Sequence, residues 1–570
     1  MRLTWRRSDE PSRAKRRAER KVEILESRQL LSGGASPLSY YLPTNGSNFQ
    51  GGTMFPSVAP LNLPIGATPS QLSSLDYGGK TVSGVDRQGD QWTLTLHGPG
   101  SMIVTDTTPN DGVYNDQIDT IQLFGTSLKS SYLTGSVSPS PRVQSNGTID
   151  FQHLIDLNGI KSIQLNGFVL VPSNPPTGAQ TQNAIQLSGG VGYLSFAGID
   201  NLTNIGQAYQ PINILIGDPS TPLRVKPTIV VSSIQNTVLN TSQTGTETTP
   251  QITPTIQFLI NGEVRNFDVA SITSQSVQPA YQFEFPTVGV TGRTSLRAIA
   301  VGNLEVYGAA KNFTVARSSF PFLNGYSGVK YIHNAIFGGT ADAVGLNSSG
   351  PIGRLTFLHG LGNPSGVNVT PSQYGTPPGL SGYPASGLLG GLVTASRIGR
   401  LTVAPSSLIA QYSENPQLIQ RHQRGYITYT TRPGSALTSA VIVSSGSIGK
   451  TTIIGDSNQS EIKSGFSYTS FLAGLEPSRA PSHIGPIRYR GDLINSAIAA
   501  TYRTGNGVYG GAGSLAGPGK IQGVFQGALY TTGIPTGLNH YGSGFYARRK
   551  IGYLPPPQRL TRFNNPLIGG

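Results

Sequence analysis

Three basic residues recur at one place in a short repeated unit. Arg354, Arg400 and Lys450 each follow the glycine of a segment of the form apolar-Gly-x-apolar-x-apolar. The segments are Ile352-Gly-Arg-Leu-Thr-Phe357, Ile398-Gly-Arg-Leu-Thr-Val403 and Ile448-Gly-Lys-Thr-Thr-Ile453, the last with Thr at the fourth position. If these are strands stacked side by side, about 4.8 Å apart, the three cations form a column. A column of fixed positive charge suits a long polyanion such as an acidic polysaccharide or another polyanion of a cell envelope; nucleic acid is not the expected partner. The alternative is a set of solvated turn residues. A fourth segment, Ile484-Gly-Pro-Ile-Arg-Tyr489, has Pro486 where the cation stood and carries Arg488 and Arg490, which alternate on a strand and point the same way. With His483 and Asp492 nearby, that strand end could hold a basic, lyase-type site.

A second group of residues could bind a hard cation. Asp106, Asp111, Asp116 and Asp119, with Asn110 and Asn115 among them, lie between two apolar runs. Calcium takes six to eight oxygen ligands from such side chains, although the spacing is not that of an EF-hand. The competing reading is an Asx-rich turn whose side chains bond their own backbone. No other cofactor is expected.

Other chemistry is poorly supplied. The chain has no Cys, which excludes disulfides and thiolate-bound metals. Seven His occur, none in a pair with helical zinc spacing, and there is no phosphate-binding Gly-rich loop ending in Lys-Ser/Thr. Glycosidases need two carboxylates at a defined separation, yet residues 301–530 hold only seven acids and no Asp-Asp pair occurs anywhere. The expectation is a binding or structural protein. A polysaccharide lyase or glycoside hydrolase is the alternative.

The elements that would position these residues are strands. Charged residues make up 12% of the 570 residues, while Gly (73) and Pro (41) are abundant, so long helices are disfavoured. Trp92, Leu94 and Leu96 alternate with threonines, the pattern of a half-buried strand. The repeated unit recurs as Val191-Gly-Tyr-Leu-Ser-Phe196 and Val301-Gly-Asn-Leu-Glu-Val306, with a looser copy over Gly159–Leu165. The later repeat glycines, Gly353, Gly399, Gly449 and Gly485, are 46, 50 and 36 residues apart, with Gly/Pro/Ser-rich stretches between them. Such irregular periods fit a solenoid, in which each coil contacts only its neighbours, better than the regular blades of a propeller.

The pattern is similar to right-handed parallel β-helices of the pectate-lyase type. That resemblance implies an all-β solenoid, with a β-propeller as the alternative. The expected organisation is a basic segment at 1–35, a Pro/Ser/Gly-rich linker at 36–75, strands at 76–140 forming a domain or cap, β-helix repeats at 141–530 and a basic tail at 531–570.

The ends carry an address. Residues 1–30 hold ten basic and five acidic residues, and 548–562 hold five basic and no acidic ones. No apolar run long enough for a transmembrane helix occurs. The segment Leu25-Glu26-Ser27-Arg28-Gln29-Leu30-Leu31 resembles the LEPR-XLL motif near the N-termini of large bacterial surface and secreted proteins. Leu25, Glu26, Arg28, Leu30 and Leu31 match it, and Ser27 replaces its proline. The resemblance implies export to the cell surface or medium. The absence of oxidisable thiols agrees with that address.

Overall fold

A computed structural model describes residues 80–552, apart from 87–88, 107–116, 142–144, 173–183, 205–211, 219–221, 240–254, 278–292, 318–327, 363–390, 406–407, 410–431, 434, 439, 459, 467–480, 495, 504–514, 517–518, 527–528, 531–543 and 548–549. All of these belong to one compact unit, Gln50–Gly570, and the other unit, Met1–Phe49, lies outside them. The described residues form strands joined by turns, and none of them is helical.

The strands wind into a right-handed parallel β-helix with three faces. The first face is a ladder of parallel strands that includes Val191–Asn204, Thr228–Leu239, Glu263–Val277, Ala300–Val306, Ile332–Phe337, Pro351–Phe357, Arg397–Val403, Ile448–Ile454, His483–Arg490 and Lys520–Gln526. A narrow second face stacks Ala310–Lys311 on Ala341–Asp342 and continues to Leu529–Tyr530. The third face runs from Ile149–Asp156 to Gly544–Ala547. Neighbouring strands are parallel from coil to coil, which excludes the antiparallel blades of a propeller.

Side-chain columns follow from the register. Phe337, Phe357, Val403, Ile453 and Tyr489 occupy one position on successive first-face strands and are fully buried. The rings of Phe337 and Phe357 stack at 5.0 Å. Thr451, in the repeat that lacks Leu, is buried in the neighbouring column and donates its hydroxyl to the Gly449 carbonyl, so the polar atom is satisfied within its own strand.

The repeat's glycine has a steric cause. A Cβ on Gly353 would stand 2.5 Å from the carbonyl oxygen of His333, and one on Gly399 would stand 2.5 Å from that of Gly353. Each coil presses its backbone onto a carbonyl of the coil before it, and only glycine leaves room. Inward and outward alternation breaks there: Ile352 and Leu355 both point inward, and Gly353 and Arg354 between them are both exposed. Corners from the second to the third face are made by single residues in the left-handed region, Asn312 (φ 50°) and Ala343 (φ 54°).

The first coils are closed by antiparallel strands. β1 (Thr81–Val85) pairs with β2 (Gln91–His97), and β3 (Ser101–Asp106) pairs with β4 (Gln117–Phe124). β5 (Tyr132–Ser138) pairs antiparallel with β2 and parallel with the first-face strand Ile160–Leu170, so it joins the cap to the solenoid. One apolar cluster runs unbroken from Val82 in β1 to Ile521. Asp90, buried at the cap, accepts hydrogen bonds from the Ser140 and Gly147 amides at 2.6 and 2.9 Å. The parallel ladder continues past residue 530, with Gly544–Ala547 on the third face and Lys550–Gly552 on the first. Strands of three and four residues within a basic, Gly-rich stretch have no periodicity long enough to read from the sequence.

The outer side of the third face is also covered. Leu392, Val441, Val443 and Phe466 form a second buried apolar cluster there. Glu461 and Lys463 of the strand Glu461–Ser464 are buried as well; their charges meet at 3.3 Å, and the Lys463 Nζ lies 5.7 Å from the centre of the Phe466 ring.

Candidate functional site

The first face brings the three repeat cations together. Arg354 is the register partner of Arg400, and Arg400 of Lys450, on three successive parallel strands. All three are exposed, and none takes part in an ion pair. The column exists because the residue after each repeat glycine is exposed on every one of these strands and the strands stack in unshifted register.

Arg488 and Arg490 are exposed on the following strand but stand in other columns. Arg488 is aligned with Thr452 and Arg490 with Ile454. The register with the Lys450 strand is unbroken, so exposed Pro486 takes the place equivalent to Lys450 and the two arginines lie two and four residues beyond it. The basic strip therefore steps diagonally across the face at this coil. Thr356, Thr402 and Thr452, each two residues beyond a repeat cation, form a hydroxyl column beside it.

Charge divides the face into two halves. The first-face strands before Pro351 carry Glu263, Asp268 and Glu305. From Pro351–Phe357 to Lys520–Gln526 no first-face strand contains Asp or Glu. The boundary falls between Asn334 and Arg354, which are register partners. Asn303 donates its amide N–H to the Asn266 side-chain carbonyl oxygen at 2.9 Å in the same column, so the position changes from a neutral ladder to a cationic one within one coil.

A second cluster adjoins that boundary and escaped the sequence reading. Lys226 and Glu263 form an ion pair at 2.7 Å. Tyr331 donates its phenol O–H to Glu263, and its ring stacks on His333 with centroids 4.4 Å apart. Burial acts on the Glu263 carboxyl and would raise its pKa; the hydrogen bonds from Lys226 and Tyr331, with the charges of Lys226 and His333, outweigh it and hold the value below the usual range. The Tyr331 phenol is pushed up to about 12, first by burial and then by the adjacent carboxylate. These residues come from three coils, and the only sequence signal is Tyr331-x-His333, two residues that share the outer side of one strand.

The acidic segment is divided between described and undescribed residues. Asp106 ends β3 and Asp119 lies in β4 of the same hairpin, where Asp119 accepts a hydrogen bond from the Thr120 hydroxyl at 3.1 Å. Asp111 and Asp116 lie outside the described residues, as does the whole export segment, Leu25, Glu26, Arg28, Leu30 and Leu31. Among the described residues no three His, Asp or Glu side chains converge as metal ligands, and no helix is long and apolar enough to cross a membrane. No protein-family model, curated protein or solved structure shows significant similarity to the chain.

Proposed function

We propose that this is an exported, non-catalytic solenoid of a bacterial cell surface or medium whose first face holds an acidic polysaccharide. One observation carries the reading: Arg354, Arg400 and Lys450 stand in register, exposed and unpaired, on a half-face without carboxylates. Cations one coil apart, about 4.8 Å, form a continuous row of positive charge along which a chain of carboxylates can lie. Each exposed contact is weak, so affinity comes from several coils engaged at once. Export rests on the Leu25–Leu31 motif, and calcium on the Asp106–Asp119 segment rests on its composition.

The test compares the full chain with the triple variant R354S/R400S/K450S on immobilised polygalacturonate. Ser removes the charge at exposed positions and leaves the fold. The wild type is expected to be retained and to elute with salt, as the screening length falls from about 10 Å at 0.1 M to about 3 Å at 1 M. Equal retention of both forms would overturn the reading. Deleting residues 1–32 is expected to keep the protein inside the cell, and unchanged surface or medium levels would remove the export claim.

A second reading, a polysaccharide lyase or glycoside hydrolase, is favoured by the Lys226–Glu263–Tyr331–His333 cluster beside the basic strip. It predicts release of shortened or unsaturated products from an acidic glycan, lost in Y331F and H333A. Intact glycan after prolonged incubation with the wild type excludes it.

A further inference from the structure

Large apolar side chains that remain exposed are few among the described residues: Tyr132, Tyr307, Leu358, Ile454 and Val524, each between 37% and 50% exposed. They are not scattered. Tyr132 and Val524 lie on first-face strands, Ile454 ends one, and Tyr307 and Leu358 directly follow one. The three aliphatic ones lie on the acid-free half, and two of them stand in register with a cation. Ile454 is the register partner of Arg490 and Val524 that of Arg488, while Leu358 directly follows the strand that carries Arg354.

A water-soluble glycan gives no reason to keep Leu, Ile and Val exposed in this place. Nor does a single strand of nucleic acid, which binds on aromatic stacking platforms. A bilayer with anionic headgroups accounts for both features. Cations with long apolar stems reach phosphates while aliphatic side chains enter the headgroup–acyl boundary. We propose that the first face, from Pro351 to Gln526, docks on an anionic bilayer surface, with Arg354, Arg400, Lys450, Arg488 and Arg490 on the headgroups and Leu358, Ile454 and Val524 inserted on the same face. This rests on the reading of the face as a polyanion surface and names a membrane as the polyanion met with the aliphatic side chains engaged.

The test uses the full chain, so that the basic ends contribute equally to every variant. Sedimentation is measured with phosphatidylcholine vesicles, with and without phosphatidylglycerol, beside retention on polygalacturonate. The wild type is expected to sediment only with the anionic vesicles. The variant L358S/I454S/V524S is expected to lose vesicle affinity by roughly tenfold or more, the scale of removing three partly buried aliphatic contacts. Its glycan retention is expected to persist, which also shows that the fold survives. R354S/R400S/K450S is expected to lose vesicle affinity by on the order of 100-fold, since each basic residue near such a surface contributes about one factor of five. Wild type that ignores anionic vesicles, or an aliphatic variant that binds them as wild type does, overturns the membrane inference and leaves glycan binding standing. An aliphatic variant that loses glycan and vesicles together also overturns it, because those residues then support the fold. A cation variant that keeps the glycan and loses the vesicles overturns the glycan reading alone.

Discussion

Arg354 and Arg400 are register partners on adjacent parallel strands, two like charges one coil apart with no acid on either strand. Like charges directly opposite destabilise a sheet, so the pairing costs the fold something that a neutral column would not. The same column is occupied by Asn266, Asn303 and Asn334 in earlier coils, where no such repulsion exists.

That relationship predicts opposite effects on stability and binding. Arg400→Glu places a carboxylate between Arg354 and Lys450 and should stabilise the protein by roughly 0.2–1 kcal/mol for each favourable cross-strand pair. Polyanion retention should fall in the same variant. Urea midpoints and salt elution on one preparation of each protein check it. A loss of stability would show that the column is not felt by the fold.

The repeat glycine should be intolerant. Gly399→Ala drives a Cβ to 2.5 Å from the Gly353 carbonyl oxygen, and the backbone must shift to relieve it. The expected loss is about 1–3 kcal/mol, the range for overpacking. Phe357→Ala, which empties a fully buried column position against Phe337, should cost more, about 3–5 kcal/mol. Thermal denaturation of the two variants ranks them, and a Gly399→Ala protein as stable as the wild type would argue against close backbone contact between coils.

Asp342 predicts a pH dependence. Its carboxyl is raised to about 6 by burial, with the charge of Lys311, its register partner, opposing the rise. A folded-state pKa above the ordinary 3.8 means the folded protein holds this proton more tightly than the unfolded chain. Asp342 therefore contributes stability that is complete below about pH 4 and lost as pH rises through about 6. Asp342→Asn should raise the urea midpoint at neutral pH and leave it nearly unchanged near pH 4. An equal change at both pH values would show that the proton is not involved.

The buried Lys463–Glu461 pair should be costly to break and cheap to replace. Burial lowers the Lys463 pKa, and the Glu461 charge works against that lowering. Lys463→Met leaves Glu461 buried without that ammonium and should cost about 3–5 kcal/mol, whereas K463M/E461L should cost far less. A double-mutant cycle in urea measures the coupling, and additive effects would mean that the 3.3 Å contact carries no energy.

Much of the architecture was legible locally. The unit Ile352–Phe357 and its copies contain their own turn, alternation and inward positions, so strand identity and stacking order follow from a six-residue pattern read several times. The column Arg354–Arg400–Lys450 follows from the same pattern, because parallel in-register stacking places equivalent residues side by side. Tertiary structure alone decided the rest. The strand after His483–Arg490 pairs with a register shift between Ile484 and Ile487, a local backbone event without a composition signal. Lys226, Glu263 and Tyr331 meet although 37 and 68 residues separate them along the chain, because winding makes distant residues neighbours across coils of unequal length. Exposure of Leu358, Ile454 and Val524 was likewise invisible, since an aliphatic residue reads as core until the fold shows which side of the strand it takes.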